Sequence, residues 1–193
     1  MRWRLFVGVP VPEPTAADLH HALVPLRERH PQAHWTPPGK LHVTIVFLGA
    51  TDPDEIQQLE TGIAGVVREW APFDIATGEG GGYLGQRGGV AWLTIFQGRD
   101  DIARLSRTMD EALASGAYDK RPPRPHLTLA RRVDERLLDD VHAAADELST
   151  RWFVDRAVLY RSHSGPGSAL YEELRSFPFG RPAQPTGELP LGD

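Results

Sequence analysis

The hydrophobic positions along the chain change their spacing several times, and each change marks the end of one predicted element. Short apolar runs rich in β-branched and aromatic residues predict strands, and longer segments with apolar residues three or four positions apart predict helices. Pro, Gly and Asp cluster where these segments end, as expected for turns. The predicted strands are residues 2–9, 41–49, 73–76, 90–96, 126–131, 152–162 and 168–175.

Helices are predicted between most of these strands, and two of them have clear signals at their first turn. The first helix should start at about Thr15, where Asp18 has the spacing of a capping box, and Pro25 should kink or end it. Asp52 followed by Pro53 is typical of an N-cap with proline at the first helical position. The helices predicted after the first are about residues 53–70, 100–115 and 134–148.

Glycine and proline mark the segments that should lack regular structure. Gly78–Gly89 is rich in glycine and is predicted to be a mobile loop around Tyr83 and Leu84. A turn at Gly165-Pro166-Gly167 should join the last two strands. Residues after Phe179 combine Pro, Gly and acidic side chains, so residues 181–193 are predicted to form a flexible tail.

The order of the predicted elements repeats once along the chain. Each half consists of strand, helix, strand, helix and strand, and matching elements lie roughly 80 residues apart, which indicates a duplication. We therefore predict an α+β fold with two similar lobes, about residues 1–78 and 90–180, within a single domain of residues 1–180. Lobes that face each other would place equivalent residues on opposite walls of one cleft, and strands could swap between them.

The most informative motif is H-x-T-x, which occurs once in each half, at His42 and His126. Side chains two positions apart share one face of a strand, so each histidine points the same way as the threonine after it, Thr44 or Thr128. Either histidine alone is better explained as a core residue with satisfied hydrogen bonds. Two copies at equivalent positions of a duplicated pattern favour a functional site instead.

Two imidazoles and two hydroxyls are suited to displacement at phosphorus. Imidazole titrates near neutral pH, so one ring can be neutral while the other is protonated. The neutral ring removes a proton from the attacking water, and the protonated ring delivers one to the departing oxygen. Threonine hydroxyls can donate hydrogen bonds to the non-bridging oxygens. A cyclic phosphate suits this chemistry, because its ring holds the leaving oxygen close to phosphorus.

Composition limits which cofactors, partners and cellular locations are expected for the chain. The chain has no cysteine, and two histidines are fewer ligands than a catalytic zinc usually has, so we expect no metal and no cofactor. The net charge of −5 argues against broad electrostatic binding to duplex nucleic acid but permits a small anionic substrate. The apolar stretch near residue 5 is too short for a signal sequence or a membrane span, so we expect a cytoplasmic protein.

Four segments resemble the 2H phosphoesterase superfamily, in particular the RNA 2′,3′-cyclic phosphodiesterases formerly called 2′-5′ RNA ligases. These segments are RLFVGVPVP, HWTPPGKLHVTIVFLG, RPPRPHLTLARR and LYRS…GPGSALYEEL. The resemblance implies a two-lobed fold with antiparallel sheets around a central cleft. It also implies hydrolysis of RNA 2′,3′-cyclic phosphate ends to 2′-phosphomonoesters, with reverse 2′-5′ ligation as a secondary activity.

By this resemblance His42 is the acid that protonates the 3′ oxygen, His126 is the base that activates water, and Thr44 and Thr128 bind phosphate. The family also uses an arginine five residues after the second histidine, which is Arg131 here. Strict strand alternation instead places Arg132 on the His126 face, and a bulge would reconcile the two.

The partner implied is an RNA or oligonucleotide with a 2′,3′-cyclic phosphate end, bound by a monomer without membrane attachment. Two alternatives stay open at this point. One is a related enzyme that acts on a small nucleotide, such as an ADP-ribose cyclic phosphate or a 2′-5′ oligoadenylate. The other is a module that binds RNA ends with little turnover.

Overall fold

The structure, a computed structural model, describes residues 2–86, 88–113, 124–163 and 170–180. Two short 3-10 turns lie at Pro38–Lys40 and Pro53–Glu55. The strands and α-helices of these ranges are β1 (Trp3–Pro10), α1 (Glu13–Ala22), α2 (Val24–Arg29), β2 (His34–Trp35), β3 (His42–Thr51), α3 (Ile56–Arg68), β4 (Phe73–Tyr83), β5 (Gly89–Gln97), α4 (Arg99–Ala112), β6 (His126–Val133), α5 (Glu135–Ala143), β7 (Arg151–Val154), β8 (Arg156–His163) and β9 (Leu170–Pro178).

The strands form one antiparallel sheet in the order β7-β4-β5-β6-β3-β1-β8-β9, with β2 beside β6. The two halves of the chain meet where β3 and β6 pair through Val43 and Leu127. β4 pairs with β5, and β8 pairs with β1, so a late strand of each half lies beside the first strand of the other half. The α+β class and the duplicated order of elements are confirmed, although the predicted sheets join into one.

The two faces of the sheet have different roles. Alternate residues of β3 and β6, including Val43, Ile45, Leu127 and Leu129, are almost fully buried in the main hydrophobic core. Helices cover this side, and Ser106 of α4 donates a hydrogen bond of 2.7 Å to the Ile45 carbonyl oxygen. The hydrophobic effect therefore fixes which face of each strand is buried. The opposite face, which carries His42, Thr44, His126 and Thr128, is called the site face below.

Proline residues determine where α1 begins and where α2 begins. One of the two predictions for this region is confirmed and the other is wrong. α1 begins two residues before Thr15, after an N-cap at Pro12 that makes no side-chain hydrogen bond, so the predicted Thr15–Asp18 capping box is wrong. Proline in the first turn already has a helical φ angle, which explains the earlier start. α1 ends at Ala22, and Pro25 lies in the first turn of α2, which confirms the predicted break.

The predicted N-cap at Asp52 is confirmed, and it forms a capping box with Glu55. The Asp52 carboxylate accepts a hydrogen bond from the Asp54 amide, and the Asp52 amide donates to the Glu55 carboxylate. The turn that follows is 3-10, and the α-helix itself runs over Ile56–Arg68.

The glycine-rich segment is mostly a strand, and the prediction of a loop over Gly78–Gly89 is wrong. β4 continues to Tyr83, and its glycines allow α5 to lie directly against the backbone. A Cβ atom at Gly80 would lie 2.7 Å from the Val141 carbonyl oxygen. Glycine is a poor strand former by itself, so close packing against α5 explains its presence here.

The predicted strand over residues 152–162 is two strands, β7 and β8, separated at Asp155. β7 pairs with β4 and β8 pairs with β1, so the chain leaves one half of the sheet for the other at this residue. The Asp155 carbonyl oxygen accepts a 2.8 Å hydrogen bond from the Phe179 amide. The predicted turn at Gly165-Pro166-Gly167 and the predicted tail lie outside the described residues.

Candidate active site

His42 and His126 are anchored in the same way at the first residue of β3 and of β6. The His42 Nδ1 donates to the Lys40 carbonyl oxygen at 2.7 Å, and the His126 Nδ1 donates to the Arg124 carbonyl oxygen at 2.7 Å. A carbonyl oxygen only accepts hydrogen bonds, so the proton of each neutral ring lies on Nδ1. This leaves Nε2 of each ring as the atom that can gain or lose a proton.

The pairing of Val43 with Leu127 brings the two motifs together. In an antiparallel pair, the residues that flank this contact alternate to the opposite face, where His42 lies near Thr128 and Thr44 near His126. The charge of His126 also lowers the pKa of His42, as expected for rings that are close in space. The structure therefore places all four predicted side chains in one region of the site face.

Aromatic rings pack against both histidines, and sequence reasoning missed this role. The His42 ring centroid lies 4.9 Å from Phe6, 5.5 Å from Tyr160 and 5.1 Å from Tyr171. The first two of these aromatic residues are buried in a small cluster separate from the main core. These contacts hold the imidazole plane in place while its Nδ1 is hydrogen bonded.

Trp92 packs on His126, with ring centroids 5.1 Å apart. This tryptophan was not among the predicted site residues. The signal was present in the alternation of β5, because Ala91, Leu93 and Ile95 are buried in the main core and Trp92 must point to the other face.

Burial dominates the titration of both rings. The pKa of His42 is lowered from 6.5 to about 4: burial is the largest cause, the charges of Arg131 and His126 act in the same direction, and the hydrogen bond to the Lys40 carbonyl opposes them. Burial likewise lowers the pKa of His126, against the Arg124 carbonyl, and Arg131 adds to this. Both imidazoles are therefore neutral at pH 7 in the free protein.

A β-bulge decides which arginine joins the histidines. Thr128 pairs with Trp92 and Ala130 pairs with Ala91, so Leu129 is an extra residue on β6. Both Leu129 and Ala130 are buried, and the alternation that follows places Arg131 on the site face.

Arg131 and Arg132 lie near different side chains. The charge of Arg131 lowers the pKa of both histidines. Arg132, which has a φ of 55°, lies with its guanidinium 3.5 Å from the His34 ring. The bulge is the physical reason that strict alternation selected the wrong arginine for this face.

The other side chains do not supply an obvious metal site. No group of three or more His, Asp or Glu side chains is arranged to hold a metal within the described ranges. His30 is buried away from the two motifs, and its Nε2 hydrogen bonds to Asp140 at 2.7 Å between α2 and α5. The expectation of metal-free chemistry stays a prediction.

The fold and the paired motifs agree with the comparison to known families. The sequence profile of the 2′-5′ RNA ligase superfamily matches residues 5–166. The chain therefore belongs to this superfamily, which confirms the resemblance found in its two H-x-T-x strands.

Individual relatives match nearly the whole chain. An RNA 2′,3′-cyclic phosphodiesterase of Thermus thermophilus is 31% identical in an alignment that covers 98% of this chain and 100% of that protein. One from Bacillus subtilis is 28% identical over 182 residues, which cover 92% of this chain and 97% of that protein.

Solved structures share the fold. Escherichia coli LigT in complex with 3′-AMP superposes with a TM-score of 0.73 at 22% identity, and the match covers 94% of this chain and 100% of that one. The protein TT0787 of Thermus thermophilus has a TM-score of 0.71 at 26% identity, with 92% and 98% covered. These likenesses extend over both halves of the sheet.

Proposed function

We propose that this chain hydrolyses the 2′,3′-cyclic phosphate at an RNA end to a 2′-phosphomonoester, with His42 and His126 as proton donor and acceptor. The observation that carries the proposal is the paired arrangement of two Nδ1-anchored imidazoles beside the Val43–Leu127 contact. The relatives that match most of the chain are named RNA 2′,3′-cyclic phosphodiesterases, which supports the substrate.

The reaction is an in-line displacement at phosphorus. The neutral Nε2 of His126 takes a proton from water, and the water oxygen forms a bond to phosphorus as the bond from phosphorus to O3′ breaks. His42, protonated at Nε2, gives its proton to O3′. The product is a 2′-phosphate beside a free 3′-hydroxyl, and exchange with solvent returns both rings to their starting states.

The low pKa of His42 links its protonation to substrate binding. Burial keeps the free ring neutral at pH 7, whereas a proton donor must be charged. A cyclic phosphate is an anion, and an anion beside Nε2 favours the imidazolium and raises its pKa. The donor therefore gains its proton when the substrate occupies the site.

Three further side chains hold the phosphate in this proposal. The hydroxyls of Thr44 and Thr128 donate to non-bridging oxygens, and Arg131 compensates the negative charge that develops in the transition state. The electrostatic effect of Arg131 on both rings supports its position within reach of the same anion.

The same displacement accounts for ligation. If the 5′-hydroxyl of a second RNA takes the place of water, the product is a 2′-5′ linkage between two ends.

An enzyme for small nucleotides and a module with little turnover are less well supported, because the relatives are named for RNA. No described helix is long and apolar enough to cross a membrane; cytoplasmic location, monomeric state and the domain limits stay predictions.

The test uses an oligonucleotide with a 2′,3′-cyclic phosphate end, in the presence of EDTA. His42→Ala and His126→Ala should each lower kcat by about 10²- to 10⁴-fold without unfolding the protein. His142→Ala is the matched control, because this histidine lies on α5, on the helix side of the sheet. Near-normal turnover by either site variant, or a 3′-phosphate product, would contradict the assignment; loss of activity in EDTA would refute the metal-free route.

A further inference from the structure

Phe96 lies on the continuation of the line that runs across the sheet from His42 to His126. The pairing of β3 with β6 places His42 opposite Thr128, so His126 is one strand over and two residues further along. Thr94 of β5 pairs with His126, and the next site-face residue of that strand is Phe96. The step from His126 to Phe96 is therefore again one strand over and two residues along, in the same direction.

The Phe96 ring projects into open space on the site face. Its residue is 81% exposed. Single exposed apolar side chains are common on protein surfaces, so exposure alone does not indicate a ligand. The backbone beside this ring is bare as well, because a Cβ atom at Gly78 of β4 would lie 3.1 Å from the Phe96 Cβ. Glycine within a strand is typical of places where a ligand or another backbone approaches closely.

The surface between His126 and Phe96 is low and lies beside a cation. Thr94 separates the two rings, and its hydroxyl donates a 3.1 Å hydrogen bond to the Glu79 carbonyl oxygen, which directs it towards β4. Arg124, whose carbonyl oxygen anchors the His126 ring, is exposed at the same end of β6. An open aromatic ring next to a guanidinium suits an anionic ligand that carries flat bases, as single-stranded nucleic acid does.

The direction of the proposed reaction determines what this surface would hold. In an in-line displacement the attacking oxygen lies opposite the departing O3′, so it lies on the His126 side if His42 protonates O3′. Water has no substituent there. The 5′-hydroxyl of an RNA carries a nucleoside, which extends away from phosphorus beyond His126. On that side Phe96 is the next site-face position after Thr94, roughly 7 Å further along β5.

We propose that Phe96 stacks on the base of the 5′-terminal nucleoside of an acceptor RNA, and that this subsite directs the enzyme towards 2′-5′ ligation. This inference rests on the proposed function. His126 takes the proton of the 5′-hydroxyl, O5′ forms a bond to phosphorus, the bond from phosphorus to O3′ breaks, and His42 protonates O3′. A phenylalanine ring stacks on any base, so the subsite recognises the presence of a base and discriminates weakly between bases.

Tyr83 is the competing aromatic residue. It is 55% exposed, and it pairs with Val90 at the opposite end of β5 from Phe96. Val90 in turn pairs with Arg131, so Tyr83 lies on the Arg131 side of the site and not on the line beyond the two histidines. In-line attack therefore selects Phe96.

The experiment measures how the protein divides one donor between water and an acceptor. The donor is an oligonucleotide with a 5′-phosphate and a 2′,3′-cyclic phosphate end, and the acceptor is an excess of RNA with a 5′-hydroxyl. The measured quantity is the ratio of 2′-5′-linked product to 2′-phosphate product. Phe96→Ala should lower this ratio about 5- to 150-fold, and Phe96→Trp should keep or raise it. With an acceptor whose first nucleotide is abasic, the wild type and Phe96→Ala should give the same low ratio.

Phe153→Ala is the matched control, because Phe153 is 49% exposed on β7, the edge strand two strands away from β5. The control should keep the wild-type ratio, and both variants should hydrolyse the donor at the wild-type rate when acceptor is absent. The inference is overturned if Phe96→Ala leaves the ratio unchanged, if Tyr83→Ala lowers it instead, or if the wild-type protein hydrolyses the donor but joins no ends. Failure of the proposed function is distinct, because the wild-type protein would then not hydrolyse the donor.

Discussion

Gly81 leaves the space that the indole of Trp92 occupies. A Cβ atom at position 81 would lie 2.7 Å from Nε1 of Trp92 and 3.2 Å from its Cε2, which is closer than side chains tolerate. Because Trp92 packs on His126, the bare backbone of β4 indirectly sets the position of the His126 imidazole. A glycine that looks like a loop residue in the sequence thus makes room for the tryptophan that packs on His126.

Gly81→Ala should therefore shift Trp92 and misplace His126. We expect kcat to fall by about 10-fold or more with little change in KM, because small misplacements of a reacting group are costly. Gly65→Ala on α3 is the control, since a Cβ there meets no atom within 4 Å. Steady-state kinetics with a cyclic nucleotide check this; equal kcat values for the two variants would show that Trp92 does not position His126.

Substitution of Arg131 should lower kcat/KM much more than substitution of Arg132. Arg131→Ala is expected to lower kcat/KM by about 10²-fold, because it removes a cation from the phosphate, and Arg131→Lys should restore this only in part. Arg132→Ala should cost less than about threefold, since its guanidinium lies near His34 instead. The same losses for both arginines would mean that the bulge at Leu129 does not select between them.

Removal of the Arg131 charge should also change the NMR titration of both histidines. Because this charge lowers the pKa of both histidines, Arg131→Ala should raise both values. NMR titration of the two ring signals measures this directly, in the absence of substrate. A pKa that stays constant in both rings would place Arg131 away from the imidazoles.

Inorganic phosphate should raise the pKa of His42. Burial lowers the pKa of the free ring to about 4, and an anion bound beside Nε2 stabilises the charged form. We expect the NMR titration midpoint of this ring to move upward by at least one pH unit at saturating phosphate. If the midpoint stays near its value in the free protein, substrate binding does not supply the charged donor.

The stability of the protein should depend on His42 at mildly acidic pH. The folded pKa of about 4 lies below the unfolded value of 6.5, so the unfolded chain binds more protons between these values. The wild-type free energy of unfolding should therefore decrease as the pH falls from 6.5 towards 4, with a contribution from this ring of at most about 3 kcal/mol.

His42→Gln removes that contribution and provides the comparison. The difference in unfolding free energy between wild type and variant, measured with urea at pH 7, 5.5 and 4.5, should shift in favour of the variant as the pH falls. A difference that is independent of pH would show that the ring is not held neutral by burial.

The part of the fold that follows from local pattern was predictable. Apolar alternation identified the strands that carry His42 and His126, and the duplicated order of elements indicated that both histidines belong to one site. Asp52 and Pro25 marked a helix start and a helix break correctly. The strand alternation and the helix signals act through the nearest few residues, and the duplication follows from the order in which these local elements occur, so the sequence alone contained all of them.

The features that escaped prediction depend on contacts between distant segments. Gly80 belongs to a strand because α5, far along the chain, packs against its backbone. Arg131 reaches the site face because of a bulge opposite β5, which no local pattern in HLTLARR specifies. Asp155 divides two strands because they pair with different halves of the sheet.

The most direct test of the account is a crystal structure with 2′-AMP, a product of the proposed reaction, bound to the protein. The account predicts that the phosphate lies between the two imidazoles, with Nε2 of His42 and Nε2 of His126 each about 2.6–3.2 Å from an oxygen on the phosphorus or from O3′. A phosphate that contacts only one ring, or that binds away from both, would contradict it.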